Sequence, residues 1–537
     1  MILQARDRIV FLGDSITEQQ LYTNQTEAYL SGRFPELELA FFNAGWSGDT
    51  APGGAKRLER DVLALKPSVV TVCYGMNDGG YQAPNADILA RFADGMAALV
   101  ARLKRAGIRV VLLTPGNVDI DSNPNLAACD YGRQGLRVLA DHVLELARRE
   151  GLPVADIHRL MGEAQAKAKA ADPRFTFAPD GFHPDPAGHL VMAYGLLEAL
   201  GVPPCGEAFD LDAAAVLQAG KRGLALDLSL ERPPFFVEPA ARKILPFLPF
   251  QERFNRTVLR VPGLGADDRF LLRSGERRHG PYSGAELAAG IDLAQAWHTA
   301  PLKDAALVHR FTLEKNQVYF RLWRGVSLLG AAGPWHDAGA LQAARVCCEK
   351  LERSRRRLVV RMKRRVRARL APAGGDGDAL KKDGFIAWWS LRGPFPRPYD
   401  AAPIGDEAAF SRQPRLDAAW LPADLAPEDH ADAMHLVFGL GHEQCFGYAL
   451  AAIDSPREQR CELLLGSDDG FALWLNGEAL ASKLDLGRAV VADQDRIPVT
   501  LARGRNYLLL KVAQGGGQWG FCARFAGLAR PVVNLRP

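Results

Sequence analysis

Four short blocks of the chain carry residue types that can do chemistry together. The first is Gly13-Asp14-Ser15, at the end of an apolar run, where a turn can expose a serine and hold it rigidly, as a nucleophile requires. The second, Asn43 to Thr50, is rich in small residues, and its Gly48 offers a backbone N–H with no side chain in the way. The third, Gly75-Met76-Asn77-Asp78, supplies a side-chain amide in Asn77. The fourth is Asp180-Gly181-Phe182-His183-Pro184. A carboxylate three residues before a histidine can reach its ring, fix the tautomer and stabilise the imidazolium. Together they supply what ester hydrolysis by a serine requires. Ser15 attacks, His183 takes its proton and later passes it to the leaving alcohol, and Asp180 orients His183. The Ser15 and Gly48 N–H groups and the Asn77 amide receive the oxyanion. Taken singly, His183 reads equally as a loop histidine, Asn77 as a turn cap and Gly48 as turn geometry.

The elements that must position these blocks alternate between strand-like and helix-like segments over the first 205 or so residues, the pattern of a parallel α/β sheet. Strands are expected at 8–12, 37–43, 68–74, 109–114 and 153–157, and helices at 58–65, 86–106, 136–149 and 186–200. Gly107 falls where a helix ends, and Asp185-Pro186 where one begins. The first three blocks follow strands, and the fourth precedes the last helix. They therefore fall at the carboxyl edge of the sheet, where open α/β sheets place their ligands.

In these residues the chain resembles the SGNH hydrolases, the GDSL esterases and lipases. That family carries Gly-Asp-Ser, a glycine, Gly-x-Asn-Asp and Asp-x-x-His in this order. Here they are Ser15, Gly48, Asn77, and Asp180 with His183. The resemblance covers about residues 1–205, with Ile16 standing where the family name has leucine. It implies a flavodoxin-like three-layer α/β/α fold and hydrolysis of an ester or thioester with no metal or cofactor. The serine is not in the G-x-S-x-G elbow of the larger α/β-hydrolase class. His158 and His189 are expected to be structural and Asp49 and Asp78 to bond locally in turns; for Trp46 and Tyr81, lining an acyl or sugar pocket is the lesser reading.

Composition narrows the remaining possibilities. The 537 residues are enough for about three domains, and 48% hydrophobic with 24% charged residues is ordinary for a soluble globular protein. A net charge of +4 is too small for this length to indicate nucleic acid or a membrane surface. No stretch approaches the roughly 20 apolar residues of a membrane span. The first strand starts too close to Met1 to leave room for a signal peptide, so the chain as it stands reads as cytoplasmic, or as exported with its leader absent. The eight cysteines show neither zinc spacing nor a disulfide framework.

Residues 206–372 read as a β-rich insert followed by an arginine-rich helical region over 339–370. The arginines fit a solvated helix face better than a polyanion-binding surface, since no nucleic-acid motif accompanies them. A linker is expected at 373–378, and beyond it short strands with turns to residue 537, as in a β-sandwich. The expected strands are 387–391, 434–439, 462–465, 471–475, 499–501 and 507–512, with Asn476-Gly477 a hairpin turn. This third resembles the jelly-roll accessory domains of carbohydrate-active enzymes. Its tryptophans Trp388, Trp389, Trp420, Trp474 and Trp519 read as a sugar-stacking platform or as core, and its aspartates lack EF-hand spacing.

The whole chain thus reads as three domains, 1–205 catalytic, 206–372 mixed and 373–537 a β-sandwich. The expected activity is that of a serine esterase removing a small acyl group, such as acetyl, from a carbohydrate. A lipid or thioester acyl-hydrolase, and a carbohydrate-binding or scaffold protein carrying an inert hydrolase fold, are the alternatives. The oligomeric state stays open.

Overall fold

The computed structural model describes residues 1–274, 277–295, 300–329, 338–372, 385–416, 420–425, 433–438, 443–484 and 487–535. The expected linker at 373–378 lies outside them.

The chain forms two compact units. The first comprises Met1–Glu207, Ser229–Thr257 and Ala300–Arg365. Its centre is a sheet of five parallel strands in the order 2-1-3-4-5: β1 (Arg8–Gly13), β2 (Ala40–Gly45), β3 (Val69–Cys73), β4 (Arg109–Leu113) and β5 (Val154–Ala155). That is the flavodoxin-like winding, with its switch point between β1 and β3. The helices are α1 (Ser15–Glu18), α2 (Leu21–Arg33), α3 (Ala51–Asp61), α4 (Ala86–Arg105), α5 (Pro124–Ala128), α6 (Arg137–Glu150), α7 (Ile157–Ala171) and α8 (Pro186–Ala199). Alternate strand residues feed two cores. Ile9 and Phe11 pack with α2, α7 and α8, and Val10 and Leu12 pack with α3, α4 and α6. This gives three layers, with β1 covered on both faces, as its unbroken apolar run implies.

Helix α2 went unanticipated because its sequence shows no clean polar face. Nearly all of it is buried, Asn24, Gln25 and Glu27 included. Residues distant in sequence cover it. Gln25 donates to Glu238, Tyr29 to the Phe254 carbonyl and Arg33 to the Pro233 carbonyl. A long helix, Ala300–Leu329, packs on it and buries Leu302, Ala305, Val308, Thr312 and Lys315, at steps of three and four residues, with Asn316 beside Lys315. The Glu27 carboxylate, 1% exposed, receives Lys315 Nζ at 2.5 Å, Asn316 Nδ2 at 2.6 Å and Arg355 Nη1 at 3.2 Å.

Two expectations for the arginine-rich stretch are corrected. Arg355, placed on a solvated face, is 2% exposed and pairs with Glu27 and Glu352. The helix there, Ala338–Arg361, stops short of 370. Residues Arg365–Pro372 form a strand instead, with Val366, Ala368 and Leu370 buried and Arg365, Arg367 and Arg369 exposed. Strict alternation of arginine with apolar residues suits a period of two, and that outweighs the helical spacing of the same residues.

The second unit comprises Ala208–Leu228, Val258–Thr299 and Val366–Pro537, so the stretch 206–372 is apportioned between the units instead of closing as a third. Its larger sheets are antiparallel. Strands Trp388–Pro396, Cys445–Ser455, Gly504–Gln514 and Gly470–Leu475 lie in one sheet. Asp495–Leu501, Gln459–Ser467 and Phe521–Ala526 form another, and the two share one apolar core. Asn476 and Gly477 close the expected hairpin, both at positive φ. Of the strand expected at 434–439, His435–Phe438 is instead one turn of helix. Trp388, Trp389, Trp420 and Trp519 are buried, so the core reading holds for them. Asp469 accepts the Gly515 and Gly516 N–H groups, which gives its carboxylate a backbone role.

Glu27→Ala leaves the buried Lys315 and Arg355 with Glu352 in place of two carboxylates. It should destabilise the protein by about 3–5 kcal/mol, read as an earlier urea unfolding midpoint. A midpoint equal to wild type would mean that the pairing contributes nothing.

Candidate active site

The register of the parallel ladder sets where each block emerges. Gly13 pairs with Gly45 on one side and Cys73 on the other, so β1, β2 and β3 end at one level. Ser15 opens α1 directly after β1, capped by Asp14, whose Oδ1 accepts the Ile16 N–H at 3.0 Å. Gly45 cannot be replaced freely. A Cβ there would come within 2.2 Å of the Glu18 nitrogen, so α1 packs directly on the end of β2.

Loops that follow different strands are stitched together. Trp46 N donates to the Gly13 carbonyl at 3.0 Å. Asn77 Nδ2 donates to the Asp49 carbonyl at 3.0 Å, and Ala51 N to Asp78 Oδ1 at 2.8 Å. Arg57 reaches back from α3 to Asp49 at 2.7 Å, to the Gly13 carbonyl at 3.0 Å and to the Ala44 carbonyl at 2.8 Å. Asp49 and Asp78 thus bond within these loops. Gly48 sits exposed at φ +74, in the left-handed region, and an added Cβ there would meet nothing within 4 Å. Backbone conformation, not space, asks for glycine at this point.

The fourth block reaches Ser15 from the loop before α8. Ser15 Oγ lies 2.9 Å from His183 Nε2, and His183 Nδ1 lies 2.7 Å from Asp180 Oδ2. Burial alone would push the Asp180 carboxyl up. The backbone N–H groups of His183 and Phe182 and the His183 ring outweigh it and hold the group below its ordinary value. An ionised Asp180 only accepts, so Nδ1 carries the ring proton and Nε2 is left to accept from the Ser15 hydroxyl. In this arrangement a ring nitrogen can take the serine proton as the oxygen attacks.

The other singled-out residues fall into place around this line. His158 Nδ1–H donates to the Gly116 carbonyl at 3.1 Å. His189 is fully buried between the Tyr22 N–H and Gln19, and burial pushes its ring down to about 3. The Tyr81 hydroxyl donates to Asn77 Oδ1 at 2.9 Å, and its ring packs on Phe182 beside His183. Trp46 packs against Trp323 and Arg324 of the long helix. Sequence reasoning missed Arg324 altogether, because nothing local marks a residue whose partners lie about three hundred positions away.

A serine and a histidine thus meet at the carboxyl edge of a parallel sheet of the order 2-1-3-4-5. Residues 11–191 match the GDSL-like Lipase/Acylhydrolase family, and the protein is an enzyme of the esterase/acylhydrolase class. An acetylxylan esterase of Geobacillus stearothermophilus is 26% identical over 224 residues, which span 37% of this chain and 97% of that protein. Among solved structures, BT4096, a gut microbial diltiazem-metabolizing enzyme, is 22% identical with a TM-score of 0.56, covering 68% of this chain and 97% of its own. That is a likeness of fold, and it extends beyond the family segment. A catalytic mutant of Axe2, an acetylxylan esterase from Geobacillus stearothermophilus, is 22% identical with a TM-score of 0.31, covering 37% of this chain and 97% of its own.

Asp14 is fully buried beside the serine. Burial, with the nearby Asp78 and Asp49 charges, raises its carboxyl to about 7, although the Ile16 N–H pulls the other way. A carboxyl raised above its unfolded value of 3.8 binds more protons folded than unfolded between the two values. Its favourable effect is intact below pH 4 or so and is lost as pH rises through about 7. Asp14→Asn keeps the cap and removes the titration. Its melting temperature should therefore gain on wild type between pH 5 and pH 8, and a pH-independent difference would contradict this.

Proposed function

We propose that the protein is a serine esterase working through Ser15, His183 and Asp180, and that its substrate is a carbohydrate bearing a small acyl group, foremost acetyl. The observation that carries the reading is the continuous line from Ser15 Oγ through His183 to Asp180, at 2.9 and 2.7 Å. Ser15 Oγ attacks the ester carbonyl carbon while its proton passes to His183 Nε2. Asp180 stabilises the imidazolium. The carbonyl oxygen, now negative, is received by the Ser15 and Gly48 N–H groups and the Asn77 amide. Collapse expels the alcohol, which takes the proton from His183. Water then attacks the acyl-serine, giving its proton to His183, and the acid leaves as Ser15 recovers its hydrogen.

The bonds around Asn77 support its role. One N–H is held by the Asp49 carbonyl and Oδ1 by the Tyr81 hydroxyl, so the amide is turned with its second N–H available for an oxyanion. For the substrate class, support comes from the acetylxylan esterase relative. We read the C-terminal sheets as an accessory jelly roll of the kind attached to carbohydrate-active enzymes. The intact hydrogen-bonded line disfavours an inert scaffold, and a lipid or thioester acyl-hydrolase remains the second reading among enzymes.

Aryl esters from acetate to decanoate, assayed with wild type and Ser15→Ala, test both levels of the reading. Acetate should turn over fastest, and Ser15→Ala should lose at least about 10³-fold in kcat. Turnover that rises with chain length would overturn the small-acyl assignment, and an active Ser15→Ala would overturn the mechanism. Tyr81→Phe unties Asn77 and should lower kcat on the acetate ester about three- to tenfold with little change in KM. An unchanged kcat would remove Tyr81 from the account.

A further inference from the structure

The long helix does more than cover α2. Its last described turn approaches the loop that carries Gly48. Arg324 Nη2 donates to Glu18 Oε1 at 2.6 Å, and the other oxygen of that carboxylate, Oε2, accepts the Ser47 N–H. The guanidinium also lies 3.6 Å from the centre of the Trp46 ring, and Trp323 meets the same ring edge-on at 5.9 Å. Trp46 and Ser47 immediately precede Gly48. On the far side of Gly48, Asp49 is bound by Arg57 at 2.7 Å.

We propose that Arg324 is a positioning residue for the oxyanion loop, holding Trp46 by stacking and Ser47 through Glu18 so that the Gly48 N–H faces the substrate oxygen. The proposal rests on the oxyanion role given to Gly48 above. It makes the helix Ala300–Leu329, outside the family segment, part of the catalytic unit.

Three observations favour this over simple attachment of the helix. Ser47 and Gly48 are exposed, and beyond the turn bond from Asp49 N to the Trp46 carbonyl at 3.1 Å the loop is held by anchors on either side. The helix is already docked elsewhere, through Lys315 and Asn316 on Glu27 and through Tyr319 against Phe42. Glu18 lies on α1, in the same turn as Ser15, so one carboxylate ties the nucleophile's helix to the loop of the oxyanion donor. Without Arg324, a carboxylate that is mostly shielded loses its cation. It then gains by turning to water and releasing Ser47.

The test compares kcat, KM and melting temperature for Arg324→Met, Arg324→Lys, Glu18→Gln and the double variant Glu18→Gln/Arg324→Met, on an aryl acetate. Arg324→Met and Glu18→Gln should each lower kcat about tenfold, with KM within about twofold and melting within about 2 °C of wild type. The double variant should be no worse than the poorer single, because both cut one link. Arg324→Lys keeps the charge on Glu18 but not the flat stack, and should recover part of the loss. Full kcat in Arg324→Met, losses that multiply in the double variant, or a fall in kcat matched by a fall in melting temperature would each overturn the proposal. An active Ser15→Ala would mean instead that the underlying reading of the site has failed. An inactive Ser15→Ala beside a fully active Arg324→Met would mean that only the role of Arg324 has.

Discussion

Everything at the site depends on the register of β1 between its two neighbours. Pairing of Gly13 with Gly45 and with Cys73 makes three strands end together, so Ser15, the Trp46–Gly48 turn and Asn77 leave the sheet at one level. A slip of one residue would turn Val10 and Leu12 toward the face now filled by Ile9 and Phe11. With both faces packed by helices, a slip would force each set of side chains into a core shaped for the other, and close packing fixes the register. The loops then need only short local bonds to complete their arrangement. Arg57 supplies several of these at once, reaching carbonyls of both β1 and β2.

The second constraint is electrostatic. A doubly covered sheet buries polar groups wherever a helix is itself covered, and α2 is the clearest instance. Glu27 is surrounded by Lys315, Asn316 and Arg355, and none of these lies in its own part of the chain. Burying such charges is costly, and good geometry only offsets the cost. The network therefore specifies which segment docks on α2 more than it adds stability. An apolar α2 would accept any greasy helix, whereas this one asks for a lysine, an asparagine and an arginine at set positions. Near Ser15 the same cost shows in Asp14 and Asp78, raised to about 7 and about 6 mainly by burial.

What the sequence made legible follows from these forces. The first five strands were readable because β-branched and aromatic residues run unbroken where both faces are covered, as in Val69–Cys73. The ends of α4 and the start of α8 were readable because Gly107 and Asp185 act locally, through a positive φ and through bonds to Ala187 and Gly188. The blocks around Ser15, Gly48 and Asn77 were readable as chemical types at strand ends, and the block around His183 as a carboxylate three residues before a histidine just before a helix. Helix α2 and the long helix were not, because their polar residues face partners instead of solvent and so blur the amphipathic period. The strand Arg365–Pro372 was misread because alternating arginines mimic the charged face of a helix over a short window. Glu18 and Arg324 meet across 306 positions, and no local pattern announces such a pair.

The two constraints converge on β2. It is an edge strand of the sheet, and an edge with unpaired backbone groups invites association unless something covers it. Here Tyr319 of the long helix packs edge-on against Phe42 in the middle of β2. A helix laid against that strand and anchored upstream on Glu27 is directed by the strand toward its carboxyl end, where Trp46 emerges. Trp323, one helical turn after Tyr319, meets Trp46 four residues after Phe42. Guarding the edge and reaching the loop are thus one geometric act. A segment recruited to cover β2 arrives beside the Trp46–Gly48 turn, and Arg324 converts that arrival into a bond with Glu18 and a stack on Trp46.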